Sequence, residues 1–146
     1  MWKCAALLAA LSLARGETWK SAGFLNIPAS AEVGAMSAVA VDRTRGFIYV
    51  LHRGGTPLLR FDASGKYVGG WGAGLFKVPH GLRVDADGNL WITDNSLNTV
   101  QKFTPEGKLL QTISDAGGKI KSPDDLVIAS NGDGGEVRSF YAIANK

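Results

Sequence analysis

The residues of this chain that can do chemistry are few, and they sit in loops. His52-Arg53-Gly54-Gly55, Pro79-His80-Gly81, Asp94-Asn95 and Asp124 each flank a short apolar run. An imidazole, a guanidinium and carboxylates gathered at one place can hold a metal ion or fork onto an anionic group. Zinc needs four protein ligands, or three and an open position, whereas the sequence has two histidines. His80, held between a stiff and a small neighbour, reads as a loop hydrogen-bonder or as a ligand. His52 ends an apolar strand and reads as a satisfied histidine at a sheet edge. Arg53 enters a Gly-Gly turn, so its guanidinium either reaches over a channel mouth to a carboxylate or pairs with an acid of a neighbouring unit such as Asp94. Asp94 reads as a turn-former, and Asp42, Asp62 and Asp85 read as turn acids at the opposite edge.

The elements that must position these residues repeat along the chain. Val39-Ala40-Val41-Asp42, Gly46-Phe47-Ile48-Tyr49-Val50, Leu59-Arg60-Phe61-Asp62 and Gly65-Lys66 align with Leu82-Arg83-Val84-Asp85, Gly88-Asn89-Leu90-Trp91-Ile92, Gln101-Lys102-Phe103-Thr104 and Gly107-Lys108, a period of 42 to 43 residues. Period-two apolar runs cut by Gly, Asn and Asp are antiparallel strands joined by tight turns. Four strands in a period of about 40 to 50 residues are the mark of a propeller blade. The predicted strands are Ala38 to Asp42, Phe47 to His52, Leu58 to Asp62 and Tyr67 to Trp71, then Gly81 to Asp85, Asn89 to Asp94, Thr99 to Thr104 and Leu109 to Ile113. In such a meander the end of the second strand and the start of the first share an edge, which brings the His, Arg and acidic loops to one face. Trp71, Trp91, Phe61 and Phe103 recur at repeat positions and read as core between blades.

A third copy begins at Pro123-Asp124-Asp125-Leu126 but loses the pattern after Asp133, where Gly134-Gly135-Glu136-Val137-Arg138 stands in place of an apolar strand. The expected organisation is a signal peptide at 1–16, a leader or outer strand at 17–36, blades over 37–133 and an atypical tail at 134–146. Trp19, Phe24 and Ile27 are the leader residues expected to pack as an outer strand. The fold class is all-β, with about two and a half propeller blades. The broken third repeat is the pattern expected of a truncated or frame-shifted product of a longer propeller gene.

At the N-terminus, Lys3 precedes a ten-residue apolar run, Cys4 to Leu13, and Ala14-Arg15-Gly16 supplies small residues where a signal peptidase reads. That is a secretory signal, half the length of a membrane span, and it implies a secreted, extracellular or periplasmic protein. Cleavage would remove Lys3, Arg15 and the single cysteine, leaving fourteen basic against thirteen acidic residues. The net charge of +3 for the whole chain therefore implies no nucleic-acid preference, which would need a basic stripe, and no disulfide can form within the processed chain.

The combination of Val39-Ala40-Val41-Asp42, Tyr49-Val50-Leu51-His52-Arg53-Gly54, Phe76-Lys77-Val78-Pro79-His80-Gly81-Leu82, Trp91-Ile92-Thr93-Asp94 and Val100-Gln101-Lys102-Phe103 resembles secreted six-bladed NHL-repeat propellers. Within them it is most similar to the peptidyl-α-hydroxyglycine α-amidating lyase (peptidylamidoglycolate lyase) group, over residues 37 to 133. The resemblance implies cleavage of peptidyl-α-hydroxyglycine to a peptide amide and glyoxylate. It implies that His80 is one of three zinc-ligating histidines, that Arg53 binds and polarises the substrate near the metal, and that Val39 and Leu82 offer backbone carbonyls to a structural calcium. The family's other two zinc histidines and its catalytic tyrosine have no match in this chain, and Asn98 stands where relatives often carry histidine. Three functions compete: a zinc lyase or part of one, a non-catalytic extracellular module binding a peptide or small molecule at the channel mouth, and an inactive product whose open blade edges self-associate.

Overall fold

A computed structural model of the chain describes residues 23–114, 117 and 120–129, together with the backbone of 139–144. The expected signal peptide and Trp19 lie outside the described residues.

Ten strands account for the architecture, and there is no α-helix among the described residues. Strands β1 (Met36–Asp42), β2 (Phe47–His52), β3 (Leu58–Asp62) and β4 (Tyr67–Trp71) form one antiparallel sheet in sequence order. Strands β5 (Pro79–Val84), β6 (Leu90–Asp94), β7 (Thr99–Phe103) and β8 (Leu109–Ser114) form a second of the same order. Strand β9 (Pro123–Ala129) pairs with β10 (Ser139–Ala144) in a third, two-stranded sheet. These are two propeller blades and the opening hairpin of another. Leu126 faces Ala142 across β9 and β10 as Leu82 faces Ile92 across β5 and β6. The second strand of the third repeat thus forms later than the period requires, inside the segment read as an atypical tail.

Acids make the turns, as their spacing predicts. Asp42 accepts from the amides of Thr44 and Arg45, Asp62 from those of Ser64 and Lys66, and Asp85 from those of Asp87 and Asn89. Each carboxylate satisfies backbone donors that the turn leaves unpaired, the reason Asp is favoured there. Arg45 extends from the first of these turns to the carbonyl of Asp87, 2.7 Å away in the next blade.

Both faces of a blade are apolar, so each must be covered by a neighbour. Tyr49, Leu51 and Leu58 of the first blade pack against Leu82, Leu90, Ile92 and Phe103 of the second, with Trp71 and Phe76 at the margin. The Trp71 and Phe103 rings lie 5.0 Å apart, and the Trp71 indole donates to the Pro105 carbonyl at 3.0 Å. On the far side of the second blade, Trp91 and Val100 pack with Leu126 of β9. On the far side of the first, Val50, Leu59 and Phe61 are covered by Leu25 and Ala31 of the leader. Phe61 therefore packs on the leader instead of on another blade.

The leader differs from its expected form. Asn26 makes an isolated parallel bridge to Lys66, Phe24 is 94% exposed, and it is Leu25 that enters the core. Consecutive residues of an extended segment point opposite ways, so burying Leu25 turns Phe24 to solvent.

Asp85 ties the second blade together. Its buried carboxylate also accepts from the Trp91 indole at 2.9 Å and pairs with Lys102 at 3.0 Å, and the Lys102 ammonium lies over the Trp91 ring. Burial raises the pKa of this acid, but the Trp91 and Lys102 contacts and the Asn89 amide outweigh it and hold the group below its ordinary value. Replacing Asp85 with Ala leaves Lys102 and several donors without their acceptor, and a loss of about 2–4 kcal/mol is expected in denaturant unfolding.

Candidate functional site

The site is built where β5 of the second blade lies against β1 and β9. Pro79 and Gly81 flank His80, and each neighbour fixes one contact. The Pro79 carbonyl accepts from the Ser37 hydroxyl at 2.9 Å and from Arg53 Nε at 3.4 Å. The Gly81 amide donates to the Thr93 hydroxyl at 2.7 Å, and that hydroxyl donates to the Asp124 carbonyl at 3.1 Å. The same carbonyl lies 2.8 Å from Nδ1 of His80. A carbonyl only accepts, so Nδ1 carries the proton and the lone pair of the neutral ring is on Nε2. The Asp124 carboxylate approaches Nε2 to 3.7 Å and is itself held by the Asn95 side-chain amide at 2.7 Å.

The loops expected to share one face do meet. His80, Asp124 and Asn95 form one network, and Arg53 joins it through the carbonyl before His80. A cavity of about 280 Å³ opens beside them, lined by Ser37, Ala38, Val39, His80, Gly81, Arg83, Asp124 and Asp125. Arg53 is exposed at the rim and does not line it. The interblade pairing with Asp94 does not form, because the buried Asp94 carboxylate accepts from the amides of Lys77, Val78, Ser96 and Leu97. The turn reading of Asp94 therefore holds, and its carboxylate anchors the loop that leads to His80.

His52 has the opposite tautomer. Its ring is buried, and Nδ1 accepts from the amides of Gly54 at 2.9 Å and Gly34 at 3.3 Å. It shapes the loop that carries Arg53 through Nδ1, but it is not the satisfied histidine expected, because its Nε2 is buried without a hydrogen-bond partner among the described residues. Burial pushes its pKa down, against a smaller opposing contribution from the Thr56 backbone. Asn98 has a left-handed backbone, φ 54°, and its side chain accepts from the Ser122 amide at 2.8 Å. Asn tolerates that conformation well, so here the position serves a turn.

The residues present fit the implied metals poorly. Among the described residues no group of three or more His, Cys, Asp or Glu is arranged to hold a metal ion. His80 offers one well-oriented nitrogen, which alone does not make a zinc site. The Leu82 carbonyl, assigned to calcium by resemblance, accepts from the Arg83 guanidinium at 2.8 Å, and Arg83 also pairs with Asp125. Val39 lines the cavity, but a cation already stands on its partner carbonyl.

Thr93, Arg83 and Asp125 were not legible as site residues. Thr93 adjoins a turn acid, and only the position of Asp124 in a third sheet makes it and Asn95 its partners. Residues Arg83 and Asp125 do carry a signal, since both depart in charge from the other repeats.

Comparison with known proteins agrees with the propeller fold. Residues 76–103 match the NHL repeat. The chain is 38% identical over 89 residues to peptidyl-alpha-hydroxyglycine alpha-amidating lyase 1 of Drosophila melanogaster, covering 56% of this chain and 16% of that protein. It is 36% identical over 77 residues to lyase 2 of the same organism, covering 48% and 19%. The chain thus spans less than a fifth of the length of either. A streptogramin B lyase structure superposes with a TM-score of 0.58 at 16% identity, over 70% of this chain and 34% of that one; at that identity the likeness establishes the fold, a partial β-propeller.

Two outcomes test the site's construction. A Cβ at Gly81 would lie 2.8 Å from the Asp124 carbonyl oxygen and 2.9 Å from the Asp125 Cα, so Gly81→Ala should cost about 1–3 kcal/mol in denaturant unfolding and shift the His80 ring resonances. For His52, the folded state resists protonation, so the unfolded chain binds the proton first. Stability should be complete above the ordinary value of 6.5 and fall as pH drops from there toward the lower folded value. Unfolding measured between about pH 7.5 and about pH 5 should show this slope, and His52→Gln should flatten it.

Proposed function

We propose that this chain provides the substrate-facing blades of an exported propeller lyase acting on peptidyl-α-hydroxyglycine. The supporting observation is the junction at Pro79: Arg53 lies at the rim with no carboxylate partner among the described residues, directly beside a His80 whose Nδ1 is anchored and whose Nε2 carries the lone pair. The similarity to the amidating lyases supports the same reading. In it, the Arg53 guanidinium grips the α-carboxylate of the hydroxyglycine by paired charge-assisted hydrogen bonds, and His80 faces the neighbouring hydroxyl. The reaction removes the hydroxyl proton, forms the carbonyl of glyoxylate, breaks the carbon–nitrogen bond and protonates the departing amide nitrogen. Zinc would supply Lewis acidity to such a site, but the described residues offer at most His80, and no step is assigned to it.

Export rests on the signal-like residues 1–16. No helix among the described residues is long and apolar enough to cross a membrane.

A non-catalytic reading is favoured by one observation, the lack of a metal-holding group among the described residues. Both readings place the ligand at the same rim, and titration calorimetry with a peptidyl-α-hydroxyglycine and with the corresponding peptide amide separates them. The lyase-derived reading expects the hydroxyglycine acid to bind and the amide not to, with Arg53→Met weakening the acid roughly tenfold to a hundredfold. Equal affinity for acid and amide, or no effect of Arg53→Met, would remove Arg53 from that role and leave a general peptide-binding surface. Glyoxylate release, assayed in parallel with and without added zinc, reports whether the bound peptide is also cleaved.

A further inference from the structure

We propose that Arg83 is the resident cation of the propeller channel, holding by a side chain the groups that a bound calcium ion would otherwise bridge, so that the channel needs no calcium. Two departures from the repeat carry this inference. At the position of Arg83 the first repeat has Ala40 and the third has Val127. At the position of Asp125 the first two repeats have Ala38 and Gly81. The blade needs neither charge, since the other copies fold with small or apolar residues there. The two departures find each other: one Arg83 nitrogen pairs with the Asp125 carboxylate while the other donates to the Leu82 carbonyl at 2.8 Å.

Placement decides what this pair does. Arg83 and Asp125 both line the cavity shared with Val39 and His80. A carbonyl oxygen and a carboxylate within reach of one guanidinium are also hard-cation ligands. Guanidinium satisfies the same oxygens with directed donors and keeps its charge at all working pH values. A divalent ion at the Leu82 carbonyl would have to displace it or sit against a like charge. The bridge also fixes β9 against β5, and thereby Asp124, the partner of His80.

Calcium titrations of the whole chain test the proposal. The native chain should give no calcorimetric binding heat, and its melting temperature should be the same in calcium and in chelator. Arg83→Met, which keeps the aliphatic volume and removes the charge, should melt lower in chelator and recover by roughly 2–5 °C with calcium. Arg83→Lys should remain insensitive. One-to-one calcium binding by the native chain with a rise in melting temperature would overturn the proposal, as would a folded Arg83→Met that ignores calcium. Should Arg83→Met fail to fold in chelator, its refolding yield is compared with and without calcium: rescue supports the proposal, and no rescue overturns it.

Discussion

The structure depends on one constraint: a four-stranded sheet with two apolar faces is stable only when both are covered. Tyr49, Leu51 and Leu58 are removed from water only because Leu82, Ile92 and Phe103 are laid against them. Each such side chain contributes about 1.5–3 kcal/mol when fully buried. Neither blade supplies this alone, because the residues that alternate along a strand belong to different interfaces. Val50 and Tyr49 are neighbours in β2, yet one packs toward the leader and the other toward the second blade. The same rule leaves Met36, Val39 and Val41 exposed on the inner strand of the first blade, where no described element covers them.

Stacking the blades also makes the site. Every residue in the His80 network except His80 and its flanks comes from another strand or loop, and the contacts run through backbone groups more than through side chains. Asp124 contributes its carbonyl to both His80 and Thr93 and its carboxylate to Asn95. The site is thereby as rigid as the approach of β9 to β5. That approach is close enough that Gly81 has no room for a side chain.

Charge is distributed in two ways across the molecule. Asp42, Asp62, Asp85 and Asp94 accept from backbone amides at turns, and that role recurs because turns recur: Asp42 and Asp85 are counterparts, while Thr104 and His52 fill it opposite Asp62 and Asp94. Arg53, His80, Arg83 and the Asp124-Asp125 pair do not recur, and all five stand at the inner face or its rim. A repeat protein tells structural from particular residues in this way: what every copy needs appears in every copy, and what one copy carries alone is free to serve something else.

The period of the sequence determined the strands, their order and the turn acids, because alternation and turn chemistry act within a few residues and each repeat states them anew. It also determined that His80 and Arg53 face the same edge, since a meander permits no other placement. The tertiary structure alone decided their partners. Whether Arg53 meets Asp94 or Pro79, whether Leu25 or Phe24 enters the core, and whether the Leu82 carbonyl is left for a metal or taken by Arg83 depend on the distance and tilt between sheets. Those quantities are set by the summed packing of many side chains across an interface, and no local pattern encodes them. The same is true of β10, which forms where the repeat is broken because β9 presents a strand edge to be paired, although the residues before it lack the alternation of its counterparts.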